Sequence, residues 1–215
     1  MIKACIFDLD GVIVDTARYH YLAWSRLARE LNIPFTEQDN ERLKGVSRKE
    51  SLEILLSLGK GQQYSAAEKE ELAARKNAWF VEYINQMDRD EIFPGVVRLI
   101  SEFRQRGMRI GLASSSKNAP QVIRSLGVAE SFDAVVDGSM VRHAKPDPEI
   151  FLLAAALLQV SPAECVVFED AAAGIESALA AGMKCVGIVS KQLLGRANLV
   201  VSRTGDFDPD VINTL

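Results

Sequence analysis

Carboxylates interrupt the first apolar run of the sequence, FDLDGVIVDTARYH at residues 7–20. Asp8 and Asp10 are two residues apart, and side chains with that spacing point the same way from an extended strand. Two like charges held so close make ionisation of both costly unless a cation or a shared proton lies between them. A divalent cation with oxygen ligands, above all Mg²⁺, would satisfy this pair. The alternative interpretation is turn chemistry, because Asp followed by Gly11 commonly ends a strand.

Polar residues follow other apolar runs in the same way. A second acid pair, Glu169 and Asp170, ends CVVFED, and Lys145 lies in HAKPDPEIF after the run DAVVD. Acids for a metal, donors for a phosphate and one lysine together indicate phosphoryl transfer through a nucleophilic carboxylate. Taken alone, the second acid pair is typical of a solvated helix start. The hydroxyl, amide and ammonium donors suited to phosphate oxygens follow RIGLAS and are Ser114, Ser115, Ser116, Lys117 and Asn118.

Short apolar runs must position these groups, and helical patterns separate most of the runs. This alternation predicts an α/β fold in which helices cover both faces of a parallel sheet. Open sheets of that kind bind ligands at the carboxyl edge of their strands, which would bring the polar groups together. The predicted strands are residues 4–9, 109–114, 133–137, 165–170, 185–189 and 198–202.

The alternation fails between residues 16 and 92, where helical patterns occur and no strand is predicted. A helix is predicted to start at Ser65, because Glu68 follows it at capping-box spacing. We expect Asp15 to cap the first helix of this block. An all-helical block after the first strand predicts an inserted domain. The predicted division is a helical cap domain of residues 16–92 and an α/β core domain of residues 1–15 and 93–215.

Four segments, in this order along the chain, resemble the motifs of the haloacid dehalogenase superfamily of phosphotransferases: FDLDGV, LASSS, AKPDPEIF and FEDAAAG. The resemblance implies a Rossmann-like core in which Asp8 attacks phosphorus to form an aspartyl phosphate and Asp10 serves as general acid and base. It also implies that Ser114 and Lys145 bind the transferring phosphoryl group. The implied Mg²⁺ site consists of Asp8, Asp10, Glu169 and Asp170. In it, Asp10 would also offer its backbone carbonyl, and Glu169 would act directly or through water.

The inserted block carries a second resemblance. Together with TARYHYLAW and ASSSKN, the segments LKGVSRKES and AARKN are similar to those of the β-phosphoglucomutases. That family interconverts β-D-glucose 1-phosphate and glucose 6-phosphate through glucose 1,6-bisphosphate, with Mg²⁺ and a cap that closes. A solvated basic loop between helices is the alternative interpretation of LKGVSRKES. Carried over by position, the loop that would bind the phosphate not reacting contains Lys44, Gly45, Val46, Ser47 and Arg48.

Further residues are carried over in the same way. Lys76 and Asn77 would contact the sugar phosphate from the cap domain. His20 would couple cap closure to Asp10, although a lone helical histidine with a structural role is the alternative. Thr16 would belong to the hinge. On the core side, the site would be completed by Ser115, Ser116, Lys117 and Asn118.

Two other functions remain open at this point. A phosphatase of the same fold, acting on a sugar phosphate or another small phosphorylated metabolite, could share every core residue and differ in admitting water. An inert sugar-phosphate-binding regulator would keep the fold, but it has no use for both Asp8 and Asp10.

Two features depart from the familiar pattern. Ala171 stands where related sequences often carry Ser, and His143 is expected to be a surface residue without an assigned role.

The composition limits the class of protein. The chain has 215 residues with 25 basic and 29 acidic side chains, a formal charge of −4 that does not favour a nucleic-acid partner. Cysteines without CxxC spacing indicate buried thiols in a reducing compartment. No apolar stretch approaches the ~20 residues that span a bilayer, and no leader is evident. We therefore expect a cytoplasmic protein without a membrane partner, and a monomer.

Overall fold

The computed structural model describes residues 1–43, 47–188 and 196–215. The chain divides into two compact units, one of Met1–Asp15 with Met87–Leu215 and the other of Thr16–Gln86. We call them the sheet unit and the helical unit. The sequence placed the second junction a few residues later, between residues 92 and 93, and the assignment of a core and a cap domain stays a prediction.

A six-stranded parallel sheet organises the sheet unit, and the order of its strands is β3-β2-β1-β4-β5-β6. Each predicted apolar run overlaps one of these strands, so the predicted α/β sheet is confirmed. The strands are β1 (Ala4–Phe7), β2 (Arg109–Ala113), β3 (Ala134–Val136), β4 (Cys165–Glu169), β5 (Lys184–Ile188) and β6 (Leu199–Val201).

The helical unit contains helices and, in its described residues, no strand. Its longest helix begins as predicted, because Ser65 accepts a hydrogen bond from the Glu68 N–H and the Glu68 carboxylate accepts one from the Ser65 N–H. The predicted cap at Asp15 is wrong: Thr16 is the residue that precedes the first helical turn. The helices are α1 (Ala17–Glu30), α2 (Glu37–Glu41), α3 (Arg48–Ser57) and α4 (Ala66–Ile84).

Helices cover both faces of the sheet. Phe7 points to the face covered by α5, where its ring lies 6.4 Å from that of Phe103. Ile6 points the other way, into a core that includes Phe151 of α7 and Ile175 of α8. The remaining helices are α5 (Val96–Gln105), α6 (Ala119–Ser125), α7 (Glu149–Leu158) and α8 (Ala172–Ala180), with 3₁₀ turns at Arg89–Glu91, Ala129–Ser131, Pro162–Glu164, Thr204–Asp206 and Pro209–Thr214.

The register of the central strands determines what lies at the carboxyl edge. Phe7 pairs with Leu112 of β2 on one side and with Phe168 of β4 on the other. The three strands therefore end within one residue of the same level, and the residues that follow them leave the sheet side by side. This alignment is what allows separate motifs to form one site.

Candidate active site

Lys145 joins two buried carboxylates at this edge. Its ammonium nitrogen lies 2.5 Å from Oδ1 of Asp8 and 2.7 Å from Oε2 of Glu169. It also donates to the carbonyl oxygen of Ala113, the last residue of β2, at 3.3 Å. The backbone of Asp8 is tied to β4, because the Asp8 N–H donates to the carbonyl of Phe168 at 2.9 Å. The structure thus brings together the predicted nucleophile, the predicted lysine and one predicted metal ligand.

The electrostatics of this cluster are those of a site with excess negative charge. Burial raises the pKa of Asp8 well above its usual value, and the charges of Glu169 and Asp10 add to this while Lys145 opposes it. Burial alone would lower the pKa of Lys145, but the charges and hydrogen bonds of Asp8 and Glu169 outweigh burial and raise it. The lysine is therefore a fixed cation. One ammonium does not neutralise all the carboxylates around it.

The donor set fits a divalent cation such as Mg²⁺. Carboxylate oxygens of Asp8, Glu169 and Asp170 all lie within 4.8 Å of one another. Burial, followed by the charge of Glu169, raises the pKa of Asp170 to about 7, which a bound cation would reverse. A Cβ atom on Gly11 would lie 1.9 Å from Oδ2 of Asp170, so the aspartate occupies space that only a glycine leaves open. That each of these residues and Asp10 coordinates the cation stays a prediction.

The loop after β2 is tied to β3 and folded on itself. Ser114 is buried, and its N–H donates to the carbonyl of Val136 at 3.0 Å. Its Oγ accepts from the N–H of Ser116 at 3.1 Å, which leaves the hydroxyl proton available for an outside acceptor. Ser116 in turn accepts from the N–H of Asn118, whereas Ser115 and Lys117 are exposed to solvent. The predicted phosphate-binding loop therefore starts next to Ala113, which Lys145 contacts.

A second cluster of predicted residues lies within the helical unit. Nζ of Lys76, on α4, is 2.8 Å from Nδ1 of His20, on α1. The Lys76 nitrogen also lies over two aromatic rings, 4.6 Å from the centre of Trp24 and 5.0 Å from that of Phe80. His20 stacks on Phe80 with ring centres 4.0 Å apart. The two predicted residues therefore form one group, in which Lys76 is buried and His20 is half-buried.

Basic groups lie close to one another in this second cluster. Burial, followed by the charge of Arg48, lowers the pKa of Lys76 to about 7. Burial lowers the pKa of His20 well below its usual value, and Lys76 and Arg48 add to the effect. Groups that repel one another's protons in this way would be stabilised by an anion. The cluster is therefore suited to a phosphate or another anionic group.

The structure describes some of the other predicted residues of the helical unit but not all of them. Ser47 precedes α3, and its Oγ accepts a hydrogen bond from the N–H of Glu50 at 3.2 Å. Asn77 follows Lys76 on α4, and Thr16 is buried at the start of α1. Their predicted contacts with substrate stay predictions. The remaining predicted residues, Lys44, Gly45 and Val46, lie outside the described residues.

Aromatic residues of this cluster were missed from the sequence. Trp24 and Phe80 each follow a predicted residue by four positions, Trp24 after His20 and Phe80 after Lys76. Side chains four apart share a helix face, so this spacing was the available signal. The exposed His143 pairs with Glu149 at 3.2 Å, as expected of a surface residue.

A comparison with known families adds to this geometry. The family model described as haloacid dehalogenase-like hydrolase matches residues 2–182. The chain belongs to this family. The membership confirms the superfamily predicted from the four motifs, and the chain is an enzyme rather than an inert binding protein.

Individual relatives match nearly the whole chain. The β-phosphoglucomutase of Bacillus subtilis (strain 168) is 47% identical over 212 residues, which are 98% of this chain and 94% of that protein. A phosphorylated carbohydrates phosphatase of Thermotoga maritima is 32% identical over 99% of this chain and 98% of its own length. The crystal structure of a β-phosphoglucomutase from Clostridium difficile matches with a TM-score of 0.89 at 42% identity, covering 100% of this chain and 96% of that one.

The predictions about membrane, location and partners are tested only in part. Among the helices that the structure describes, none has the length and apolar character needed to cross a membrane. The cytoplasmic location, the monomeric state and the absence of a nucleic-acid partner stay predictions.

Proposed function

We propose that this protein is a β-phosphoglucomutase that interconverts β-D-glucose 1-phosphate and D-glucose 6-phosphate. The observation that carries the chemistry is the buried Lys145 ammonium between Asp8 and Glu169 at the carboxyl edge of the sheet. The choice of a mutase among the activities of the family is supported by the near-complete match to β-phosphoglucomutases.

Asp8 is the nucleophile. Lys145 binds its Oδ1, which leaves Oδ2 to attack phosphorus. A bond forms between Oδ2 and phosphorus while the bond from phosphorus to the sugar oxygen breaks, and Asp10 gives its proton to the departing oxygen. In the return step Asp10 takes the proton of a sugar hydroxyl, and that hydroxyl oxygen attacks the aspartyl phosphate. Glucose 1,6-bisphosphate links the two half-reactions as the intermediate.

Mg²⁺ is the proposed cofactor. Asp8, Asp170 and the carbonyl of Asp10 would hold it, and Glu169 would act through water because both of its carboxylate oxygens already accept hydrogen bonds. When bound, the ion would stabilise the negative charge that develops on the phosphoryl oxygens. Ser114 and Lys145 bind the same oxygens from the protein side.

The helical unit recognises the sugar phosphate. Lys76 lies against His20, and the charge of Arg48 contributes to lowering the pKa of both, so a bound anion would stabilise the protonated forms of these groups. We assign Arg48 and Ser47, with their sequence neighbours Lys44, Gly45 and Val46, to the phosphate that is not transferred. Lys76 and Asn77 are assigned to contact with the sugar phosphate, and His20 to the coupling of cap closure to Asp10. On the sheet unit, Ser115, Ser116, Lys117 and Asn118 complete the sugar site. Thr16 serves as a hinge residue.

A phosphatase acting on a sugar phosphate is the second candidate. The observation that favours it is the match to a phosphorylated carbohydrates phosphatase over nearly the whole of both chains. A phosphatase and a mutase share the first half-reaction, and they differ in whether water or a sugar hydroxyl attacks the aspartyl phosphate.

Product analysis tests the proposal. The pure protein is incubated with Mg²⁺, a trace of glucose 1,6-bisphosphate and either anomer of glucose 1-phosphate, and glucose 6-phosphate and free phosphate are measured separately. A mutase forms glucose 6-phosphate from the β anomer with little free phosphate. Rapid release of phosphate with little isomerised sugar would establish the phosphatase instead. Turnover of the α anomer alone would overturn the choice of anomer.

A further inference from the structure

Gly174 stands in the first turn of α8, a helix otherwise rich in alanine. Glycine is a poor helix former, so its presence at this position needs a reason. A Cβ atom built on Gly174 would lie 2.0 Å from both Cδ and Oε2 of Glu169, and 2.4 Å from Cγ. Since non-bonded carbon atoms pack at about 3.5–4.0 Å, the observed conformation of Glu169 requires glycine at residue 174.

That conformation of Glu169 holds several groups at once. The side chain is buried, and its Oε1 accepts hydrogen bonds from the N–H groups of Asp170 and Ala171, both at 3.1 Å. Its Oε2 accepts from Lys145, whose other carboxylate partner is Asp8. Glu169 therefore links the start of α8 to the lysine that contacts the nucleophile.

We propose that Gly174 is a positioning residue for phosphoryl transfer. Because glycine has no side chain, the Glu169 carboxylate can lie against the first turn of α8. In that position Glu169 holds the Lys145 ammonium next to Asp8. This inference rests on the proposed phosphoryl transfer to Asp8, but it does not depend on which sugar phosphate is the substrate.

The variant Gly174→Ala separates folding from chemistry. The three atoms nearest to the added Cβ all belong to the Glu169 side chain and none to the backbone, so the clash is relieved by rotation of Glu169 rather than by displacement of the helix, and alanine itself favours the helix. The rotation removes one of the two carboxylates that fix Lys145. We expect a folded protein whose Lys145 is misplaced, and a misplacement of about 1 Å is enough to slow a reaction by roughly a hundredfold.

The experiment measures phosphorylation of Asp8 by labelled acetyl phosphate in the presence of Mg²⁺. In this reaction an Asp8 oxygen forms the bond to phosphorus, the bond from phosphorus to the acetyl oxygen breaks, and acetate leaves. We expect labelling of Gly174→Ala to be roughly tenfold to a hundredfold slower than that of the wild type, with cooperative thermal unfolding retained. Binding of inorganic phosphate, measured by calorimetry, is expected to weaken in parallel because Lys145 binds the phosphoryl group.

Gly182→Ala is the matched control. Gly182 follows the same helix with φ at +74°, and a Cβ there would meet nothing within 4 Å. Alanine in this left-handed conformation is strained, so the control should lower the melting temperature but leave labelling and phosphate binding unchanged. Gly174→Ala should slow labelling and weaken phosphate binding, although it also lowers the melting temperature by breaking the buried contact of Glu169 with Lys145.

A double-mutant cycle with Glu169→Asp identifies the route of the effect. Glu169→Asp alone should slow labelling, but it should add little in the Gly174→Ala background, where the carboxylate has already been displaced. The proposal would be overturned if Gly174→Ala were labelled at the wild-type rate. It would also be overturned if the two substitutions slowed labelling independently, so that their effects on the rate multiply in the double variant. If the wild type isomerises no glucose phosphate but Asp8 is labelled, the mutase assignment alone fails. If Asp8 takes no label, phosphate binding still decides the role of Gly174.

Discussion

Nζ of Lys145 lies 2.5 Å from Oδ1 of Asp8, and both side chains are at least nine-tenths buried. One carboxylate oxygen of the proposed nucleophile is thus held by a cation, and the other is the one that we propose attacks phosphorus. The ion pair joins residues that are 137 positions apart in the sequence, and it exists because β1 lies in the centre of the sheet between β2 and β4.

Replacement of Asp8 by Asn should remove every activity that depends on the aspartyl phosphate. The amide is nearly the same size but is not a nucleophile at this site, so glucose phosphate isomerisation and phosphate release should both fall by roughly three orders of magnitude or more. Rates of both reactions, with Mg²⁺ and glucose 1,6-bisphosphate present, provide the measurement. Residual turnover near the wild-type rate would be incompatible with a covalent mechanism.

Replacement of Lys145 by Met should be costly to stability as well as to activity. Asp8 and Glu169 would then share a buried site without their cation, and loss of one partner of a buried ion pair costs about 3–5 kcal/mol. The measurement is the free energy of unfolding in urea. Lys3→Met is the matched control, because Nζ of Lys3 lies 2.6 Å from Glu164 but the lysine is exposed and the glutamate partly so. Surface pairs of this kind contribute about 0–1 kcal/mol. Equal losses in the two variants would contradict the assigned burial.

The sheet and the residues at its carboxyl edge could be predicted from the sequence, because the apolar runs that form strands, and the polar residues that end them, are local patterns. The sequence was not sufficient for their pairing. That Glu169 accepts from Lys145 depends on the register of β4 against β1 and on the space at Gly174, which are both tertiary facts. The rings around Lys76 likewise follow from how α1 packs on α4. Thr16 rather than Asp15 immediately precedes α1, because helix boundaries shift by a residue or two with little energetic cost.

Replacement of Asp170 by Asn should weaken metal binding more than it disturbs the fold. The loss of one carboxylate from a cluster with excess negative charge should raise the Mg²⁺ concentration needed for half-maximal activity by roughly tenfold to a hundredfold. Because burial and neighbouring carboxylates destabilise the ionised Asp170, the metal-free variant should unfold at the same temperature as the metal-free wild type or higher. An unchanged Mg²⁺ requirement would remove Asp170 from the ligand set.

Replacement of Arg48 by Ala should distinguish the sugar-phosphate site from the phosphoryl-transfer site. Because Arg48 is assigned to the phosphate that does not react, kcat/KM for β-D-glucose 1-phosphate should fall by roughly tenfold to a hundredfold, as expected for loss of a charged hydrogen bond. Hydrolysis of p-nitrophenyl phosphate, which has no second phosphate, should change much less. Arg75→Ala is the control, since Arg75 is half exposed and pairs with Glu30. Equal losses with both substrates would contradict the role of Arg48.

Replacement of Lys76 by Met should stabilise the protein in a manner that depends on pH. The pKa of Lys76 is about 7 in the folded chain, against an ordinary value of 10.5. Between these values the unfolded chain binds a proton that the folded chain lacks, so the wild-type free energy of unfolding rises with pH across this window and is lowest below it. Methionine removes the titration and keeps the apolar contacts with Trp24 and Phe80.

The stabilisation by Lys76→Met should therefore be greatest near pH 7, at about 3–5 kcal/mol, and should vanish as the pH approaches 10.5. Urea unfolding of both proteins at several pH values in this window provides the measurement. His20 contributes little there, because the ordinary pKa of 6.5 lies below the window and the folded protein lowers it further. The same variant should bind the sugar phosphate more weakly, so stability and recognition should change in opposite directions. A difference in stability that stays constant from pH 7 to pH 10.5 would show that Lys76 does not titrate in this range.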